Sequence, residues 1–273
     1  MRGAWELSDW PALQRCYARL SSKPSRTSDR RLLDFLMLVG ALEPVAGPRS
    51  EYDSSGSFSP VDNSVRKLLE GARIAFVGPA QIDEQDEAEL ATFDIVIRPN
   101  YLGSNRDEMR VISSFGGGYV PKVAKKIRQQ QSQLAATFFK NVSSLREAFG
   151  AIPPPNATVI GTCDEILLGT SNGYAAQNVL YFLLRMNPLE CKLFGVTFYA
   201  SRKTYRDDYG KDKNATASLR NIRIHEPFSN YSFISSLVRL GKVKADRATT
   251  DILQLGRQHY AEKLDRLPIG VLK

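Results

Sequence analysis

Histidine is the scarcest titratable residue in this chain: 273 residues hold two, His225 and His259. His225 stands in "RIHEPFSNYSF", just ahead of a helical stretch and outside any clear amphipathic stripe, whereas His259 lies within a charged helix. The plainer alternative for a lone histidine is a structural role, but that context favours His225 as a general base or a phosphate contact, since imidazole changes charge near neutral pH. No pair of histidines stands at metal-ligand spacing, and neither "DEQDE" nor "RDDYG" is a clean Asp-x-Asp pattern, so no metal is expected. A second group lies in "GTSNGYAAQNVLYFLL", where Gly169, Thr170, Ser171, Asn172 and Gly173 precede an apolar helix. Such a loop offers hydroxyls and free amides at the positive end of a helix dipole, where a phosphate can sit; the plainer alternative is an N-cap. Two single residues end strand-like runs. Gly78 follows "RIAFV", where the missing side chain would let a backbone amide approach a ligand. Asn100 follows "DIVIRP" and is either a contact to a base or ribose or a turn residue after Pro99.

Short apolar runs alternating with helical segments would position these groups. From Arg73 onward "RIAFV", "DIVIR", "AATFF", "ATVIG" and "CKLFGVT" read as strands. Between them "EQDEAELATF", "VPKVAKKIRQQQSQL", "SSLREAF" and "GYAAQNVLYFLLRM" read as helices, the first of them with an acidic turn as alternative. Helices follow in "NYSFISSLVRLGKV" and across "TTDILQLGRQHYAEKLDRL". This alternation predicts an α/β fold, a Rossmann-like and mainly parallel sheet with helices on both faces. Ligands of such sheets bind beyond the carboxyl ends of the strands, where the strand order reverses. There is no GxGxxG, so a dinucleotide fingerprint is not supported. Residues 1–60, with two helical stretches and the Gly/Pro/Ser-rich "PVAGPRSEYDSSGSFSP", read as a helical appendage and linker ahead of a main domain over 61–273.

A hydrophobic content of 42% with 24% charged residues excludes bulk disorder. No apolar run approaches the roughly 20 residues of a membrane span, and the N-terminal "MRGAWELSDW" does not read as a secretory leader. The cysteines, Cys16, Cys163 and Cys191, are odd in number and widely spaced, which predicts a reducing, cytoplasmic setting and makes the four Asn-x-Ser/Thr matches chance ones. A net charge of +8 implies attraction to an anionic partner. Basic clusters stand in "PKVAKKIRQQ", "SRKTYRDDYGKDK" and "GKVKADR", where the bland alternative is a solvated face.

Taken in order, "RIAFVGPA", "FDIVIRPN", "GTSNGYAAQNVLYFLL", "CKLFGVTFY" and "HEPFSNY" resemble the sialyltransferase-like glycosyltransferases that use cytidine monophosphate (CMP) sugars. The first two look like the large sialyl motif, with its "D-x-V-I-R-x-N" strand; the loop with the apolar helix and "LFGVTFY" look like the small motif; His225-Glu226 looks like the very small motif. The likeness spans residues 73–251 and rests on order and spacing more than on identities. Paired cysteines, a membrane anchor and a His-Tyr-Tyr motif between Tyr199 and His225 are not found in the sequence, which points to a bacterial relative in the wider group that includes transferases of 3-deoxy-D-manno-octulosonic acid (Kdo).

The resemblance implies that Gly78, Asn100, Thr170, Ser171, Asn172 and Gly173 contact CMP and that His225 serves the reacting centre or the donor phosphate; Asp107 in "GSNRDEMR" is a further catalytic candidate, with a solvated turn as its alternative. It implies a metal-independent transfer of an acidic sugar, sialic acid or Kdo type, from a CMP-sugar donor to a glycan or lipid-linked glycan acceptor in bacterial surface polysaccharide synthesis. An inverting course needs one base, for which His225 is available; a retaining course needs a carboxylate nucleophile, for which Asp107, Asp164 and Glu165 are the nearest candidates. No further cofactor and no nucleic-acid partner are expected, and the basic surface suggests peripheral contact with the inner membrane. The alternative is a noncatalytic nucleotide- or nucleic-acid-binding module on the same sheet.

Overall fold

The computed structural model describes residues 63–102, 108–116, 118–161, 175–200 and 227–266, with helical positions at 11, 12, 14, 15, 36 and 37. Seven strands form one sheet, and every neighbouring pair is parallel: β1 (Arg73–Val77), β2 (Ile95–Pro99), β3 (Glu108–Phe115), β4 (Leu134–Phe139), β5 (Ala157–Val159), β6 (Glu190–Phe194) and β7 (Lys244–Ala245). The spatial order is β5-β4-β3-β2-β1-β6-β7. The chain therefore winds outward from β1 in one direction as far as β5, then returns to the other side of β1 for β6 and β7. The reversal lies between β1 and β6.

Among the described residues the helices with assigned bounds are α1 (Asn63–Leu69), α2 (Glu84–Leu90), α3 (Val120–Gln130), α4 (Val142–Phe149), α5 (Ala175–Leu183), α6 (Pro227–Arg239), α7 (Arg247–Gln254) and α8 (Gly256–Asp265). They cover both faces, so alternate strand residues enter different cores and each strand reads as a continuous apolar run. In β1, Ile74 and Phe76 join one cluster with Val65 of α1, Val179 and Phe182 of α5, Phe233 of α6 and Tyr260 of α8. Ala75 and Val77 face the other way, with Leu90 of α2 and Phe194 of β6. Further along that second face, Phe115 and Phe139 pack on Val120 and Ile127 of α3 and Ala148 of α4. Across the first face Phe138 of β4 meets Phe182 of α5 edge to face, with centroids 5.3 Å apart. Local signals set the helix starts: Asp83, Asn141 and Asp246 each accept a hydrogen bond from a backbone N–H three residues on.

The predicted α/β class holds, and the sheet is wholly rather than mainly parallel. Two strands escape the sequence pattern. β3 is central, yet its buried Ser113 and Ser114 interrupt the apolar run, and β7 has two residues. The single helix expected after Thr249 is two, because Gly256 takes a positive φ of 71° at the junction of α7 and α8. Leu36 is fully buried in the main cluster with Val65 and Ile74, and the neighbouring Met37 packs against that cluster. Among the described residues no helix is long and apolar enough to cross a membrane. Cys191 is a buried residue of β6, and burial pushes its thiol up to about 12, which makes it a small apolar core residue and not a nucleophile.

Candidate functional site

The carboxyl edge of the sheet at the β1/β6 reversal is where a doubly wound fold opens a crevice. Two glycines determine how closely it opens. Past the strand ends the Gly78 N–H donates to the Phe194 carbonyl at 2.6 Å and the Ala80 N–H to the Gly195 carbonyl at 3.2 Å. A Cβ on Gly78 would lie 2.4 Å from the Gly195 oxygen, and one on Gly195 would lie 2.8 Å from the Ala80 oxygen. The Gly78 N–H itself is spent on β6, and glycine is required there because backbone packs against backbone.

Asp246 fixes the far side of this turn. It is 1% exposed, and its carboxylate accepts from the Gly195 N–H at 2.7 Å and the Thr249 N–H at 2.8 Å, while the Thr249 hydroxyl accepts from the Val196 N–H at 3.1 Å. The N-cap of α7 therefore also holds the end of β6. Asp246→Ala would strip the acceptor from two buried amides at about 1–3 kcal/mol each, so a loss of roughly 2–6 kcal/mol is expected. Asp246→Asn keeps one acceptor and should lose about half as much. Urea midpoints of the two variants check this, and an unchanged midpoint for Asp246→Ala would show that the amides find other acceptors.

Beyond Val196 the chain makes a turn over residues 197–200, closed by the Ala200 N–H donating to the Thr197 carbonyl at 2.8 Å. Its central residues, Phe198 and Tyr199, have φ of 49° and 64°. Left-handed backbone costs a side-chain-bearing residue roughly 1–2 kcal/mol, so the surroundings must enforce it. They do: the Phe198 ring meets Tyr231 at 5.7 Å, and its carbonyl accepts from the Tyr260 hydroxyl at 2.8 Å. Tyr231 and Tyr260 stack 4.4 Å apart, and the Tyr231 hydroxyl donates to the Leu253 carbonyl at 2.8 Å.

Helices α5 and α6 bring their amino ends to the same edge. The Asn187 carbonyl, just past α5, accepts from the Gly71 N–H at the start of β1, so the end of α5 lies at the amino edge of the sheet. At about 1.5 Å per residue the helix and its closing turn reach back some 17 Å, to the carboxyl edge. α6 likewise ends just before β7 starts, and its second turn carries Tyr231 against Phe198. Both helices bury polar residues in their first two turns: Gln177 and Asn178 in α5, Ser229, Asn230 and Ser232 in α6. Such groups are costly to bury in a packing face and are common where a helix end meets a ligand. Among the described residues the Ser232 hydroxyl, 2% exposed, has no hydrogen-bond partner.

Electrostatics separates the two sides of the sheet. The first turn of α2 holds Glu84, Asp86 and Glu87, and the Asp86 carboxyl is raised from its ordinary value by partial burial first, then by Asp246 and Asp83. The first turns of α5 and α6 contain no acidic residue. Among the described residues an anion at this edge is therefore favoured on the α5/α6 side, whose first helical turns carry no carboxylate.

Asn100 sits at the end of β2 in the left-handed region, φ 53°, its N–H bonded to the Ser114 carbonyl at 2.7 Å and its side-chain oxygen 3.4 Å from the Gly116 N–H. It acts as a turn residue at the same edge. Gly78 and Asn100 thus share the carboxyl edge, on adjacent strands. Asp107, Thr170, Ser171, Asn172, Gly173 and His225 lie outside the described residues. Asp246, the turn at Phe198 and Tyr199, and the glycines that link β3 to α3 are not among the residues whose type and spacing in the sequence suggest chemistry. Asp246 carries the local signal of an N-cap and the run "SSFGGGY" that of a strand ending in glycines before a helix, whereas the turn at Phe198 and Tyr199 carries none. No group of three or more metal-ligating side chains occurs among the described residues. Comparisons of the chain with protein-family models, with curated proteins and with solved structures found no match.

Proposed function

We propose that the chain is a metal-independent glycosyltransferase that moves an acidic sugar, sialic acid or Kdo type, from a CMP-sugar to a glycan acceptor. One observation carries the reading. The segments that resemble the sialyl motifs are far apart in sequence, yet their described parts all run to the carboxyl edge of one parallel sheet. β1 and β2 end there in Gly78 and Asn100, β6 ends there in the strained turn, and α5 and α6 begin there. In the sequence, residues 170–173 lead into α5 and His225 stands two residues before Pro227, the first residue of α6.

The chemistry asks little more of such an edge. CMP leaves with a single phosphate, whose charge helix-end amides and hydroxyls can meet. The donor sugar passes through an oxocarbenium-like state, and His225 is assigned the proton of the attacking acceptor hydroxyl. Calorimetric titration with CMP, with uridine and guanosine diphosphates as controls and no added metal, tests donor recognition. Selective binding of CMP is expected. No CMP binding, together with tight, salt-sensitive binding of an oligonucleotide, would overturn the reading in favour of a noncatalytic nucleic-acid module.

A further inference from the structure

The surface over the second face of the sheet is divided by charge. From residue 81 to residue 94, through α2, there are six acidic residues and no Lys or Arg. From residue 119 to residue 150, through α3, β4 and α4, there are six basic residues, Lys122, Lys125, Lys126, Arg128, Lys140 and Arg146, against Glu147 alone. Helix geometry concentrates part of that charge. Val120 and Ile127 of α3 are buried on the sheet, while Lys122, Lys125 and Lys126 recur at helical spacing on the exposed side. Among the described residues none of these three lysines is in an ion pair. Arg128 is committed elsewhere, donating to the Ala148 carbonyl at 2.6 Å and so locking α3 to α4. On α4 the exposed stripe carries Arg146 one turn after Val142, which is 48% exposed, and Ile152 just beyond the helix is 88% exposed.

We infer that the exposed face of α3 and α4 is a docking surface for an anionic bilayer. Three lysines held in one stripe with no acidic neighbour on their own helix complement a layer of lipid phosphates. The apolar side of α3 is already used by the core, so the helix lies on the headgroups and does not insert. Val142 and Ile152 supply shallow apolar contacts that a headgroup layer accepts. A nucleic acid is disfavoured because the stripe holds no aromatic side chain on which a base could stack. The acidic α2 on the same face would be repelled by the bilayer and would set the tilt of the docked molecule. This inference stands whether or not the chain is a transferase.

Flotation with vesicles of phosphatidylcholine alone and of phosphatidylcholine with phosphatidylglycerol tests it on the full chain. Binding is expected only to the phosphatidylglycerol vesicles, and it should weaken as salt is raised. Each lysine near an anionic surface is worth about fivefold in partitioning, so the variant K122E/K125E/K126E should bind roughly 100-fold less. R66E/K67E/K242E makes the same change in net charge at exposed sites away from this stripe and should bind within about tenfold of the parent. Circular dichroism and melting curves confirm that both variants fold; if the first does not, the single variants K122E, K125E and K126E replace it. Equal losses in the two triple variants would reduce the effect to net charge and overturn the inference. So would failure of the parent to float, or an α3 variant that loses oligonucleotide binding and leaves vesicle binding intact.

Discussion

Gly195→Ala is expected to cost roughly 2–5 kcal/mol, about 1–2 from a side chain at left-handed φ and about 1–3 from overpacking. The residue has φ 63°, and its new Cβ would meet the Ala80 carbonyl oxygen at 2.8 Å. Gly78→Ala should be at least as damaging, since its Cβ would lie 2.4 Å from the Gly195 oxygen and 2.8 Å from the carbonyl carbon. Backbone stands on both sides of these contacts, so relief requires β1 and β6 to move apart and to surrender the 2.6 Å bond from Gly78 to Phe194. Urea unfolding of each variant gives the measurement. A midpoint within error of the parent would mean that the two turns are not packed as described, and the geometry assigned to the crevice would fall with it.

The second large effect concerns chemistry and leaves the fold unchanged. On the proposed reading, His225→Ala should lower kcat/KM for transfer from a CMP-sugar by about 10²–10⁴-fold, the span of a lost general base, with an unchanged melting curve. CMP affinity separates the two roles open to this residue. A variant that binds CMP normally but transfers slowly has lost the base; one that binds CMP poorly has lost a phosphate contact. Full activity with every CMP-sugar offered would remove His225 from the mechanism altogether.

What depends on neighbours along the chain is legible in the sequence. Strand runs such as "RIAFV" and "DIVIR" are legible because burial on both faces demands continuous apolar residues. The amphipathic spacing of "VPKVAKKIRQQ" is legible because a helix repeats its faces every three or four residues. Asp83, Asn141 and Asp246 are recognisable caps for the same reason, since each bonds within its own first turn. Of the candidate site, Gly78 and Asn100 could be marked as residues closing strands. Their work could not be read, because it depends on partners more than a hundred residues away for Gly78 and across β3 for Asn100. Tertiary structure alone decided that β6 returns beside β1, which makes Gly78 a packing contact. It placed Asp246 against Gly195, and it stabilised Phe198 and Tyr199 in a backbone region their side chains disfavour. It also made "EMRVISSF" a central strand, since its serines are buried by neighbouring strands and helices and not by any pattern of its own. Local periodicity encodes elements; strand order arises from which faces can be buried together, a many-body condition that no short window of sequence contains.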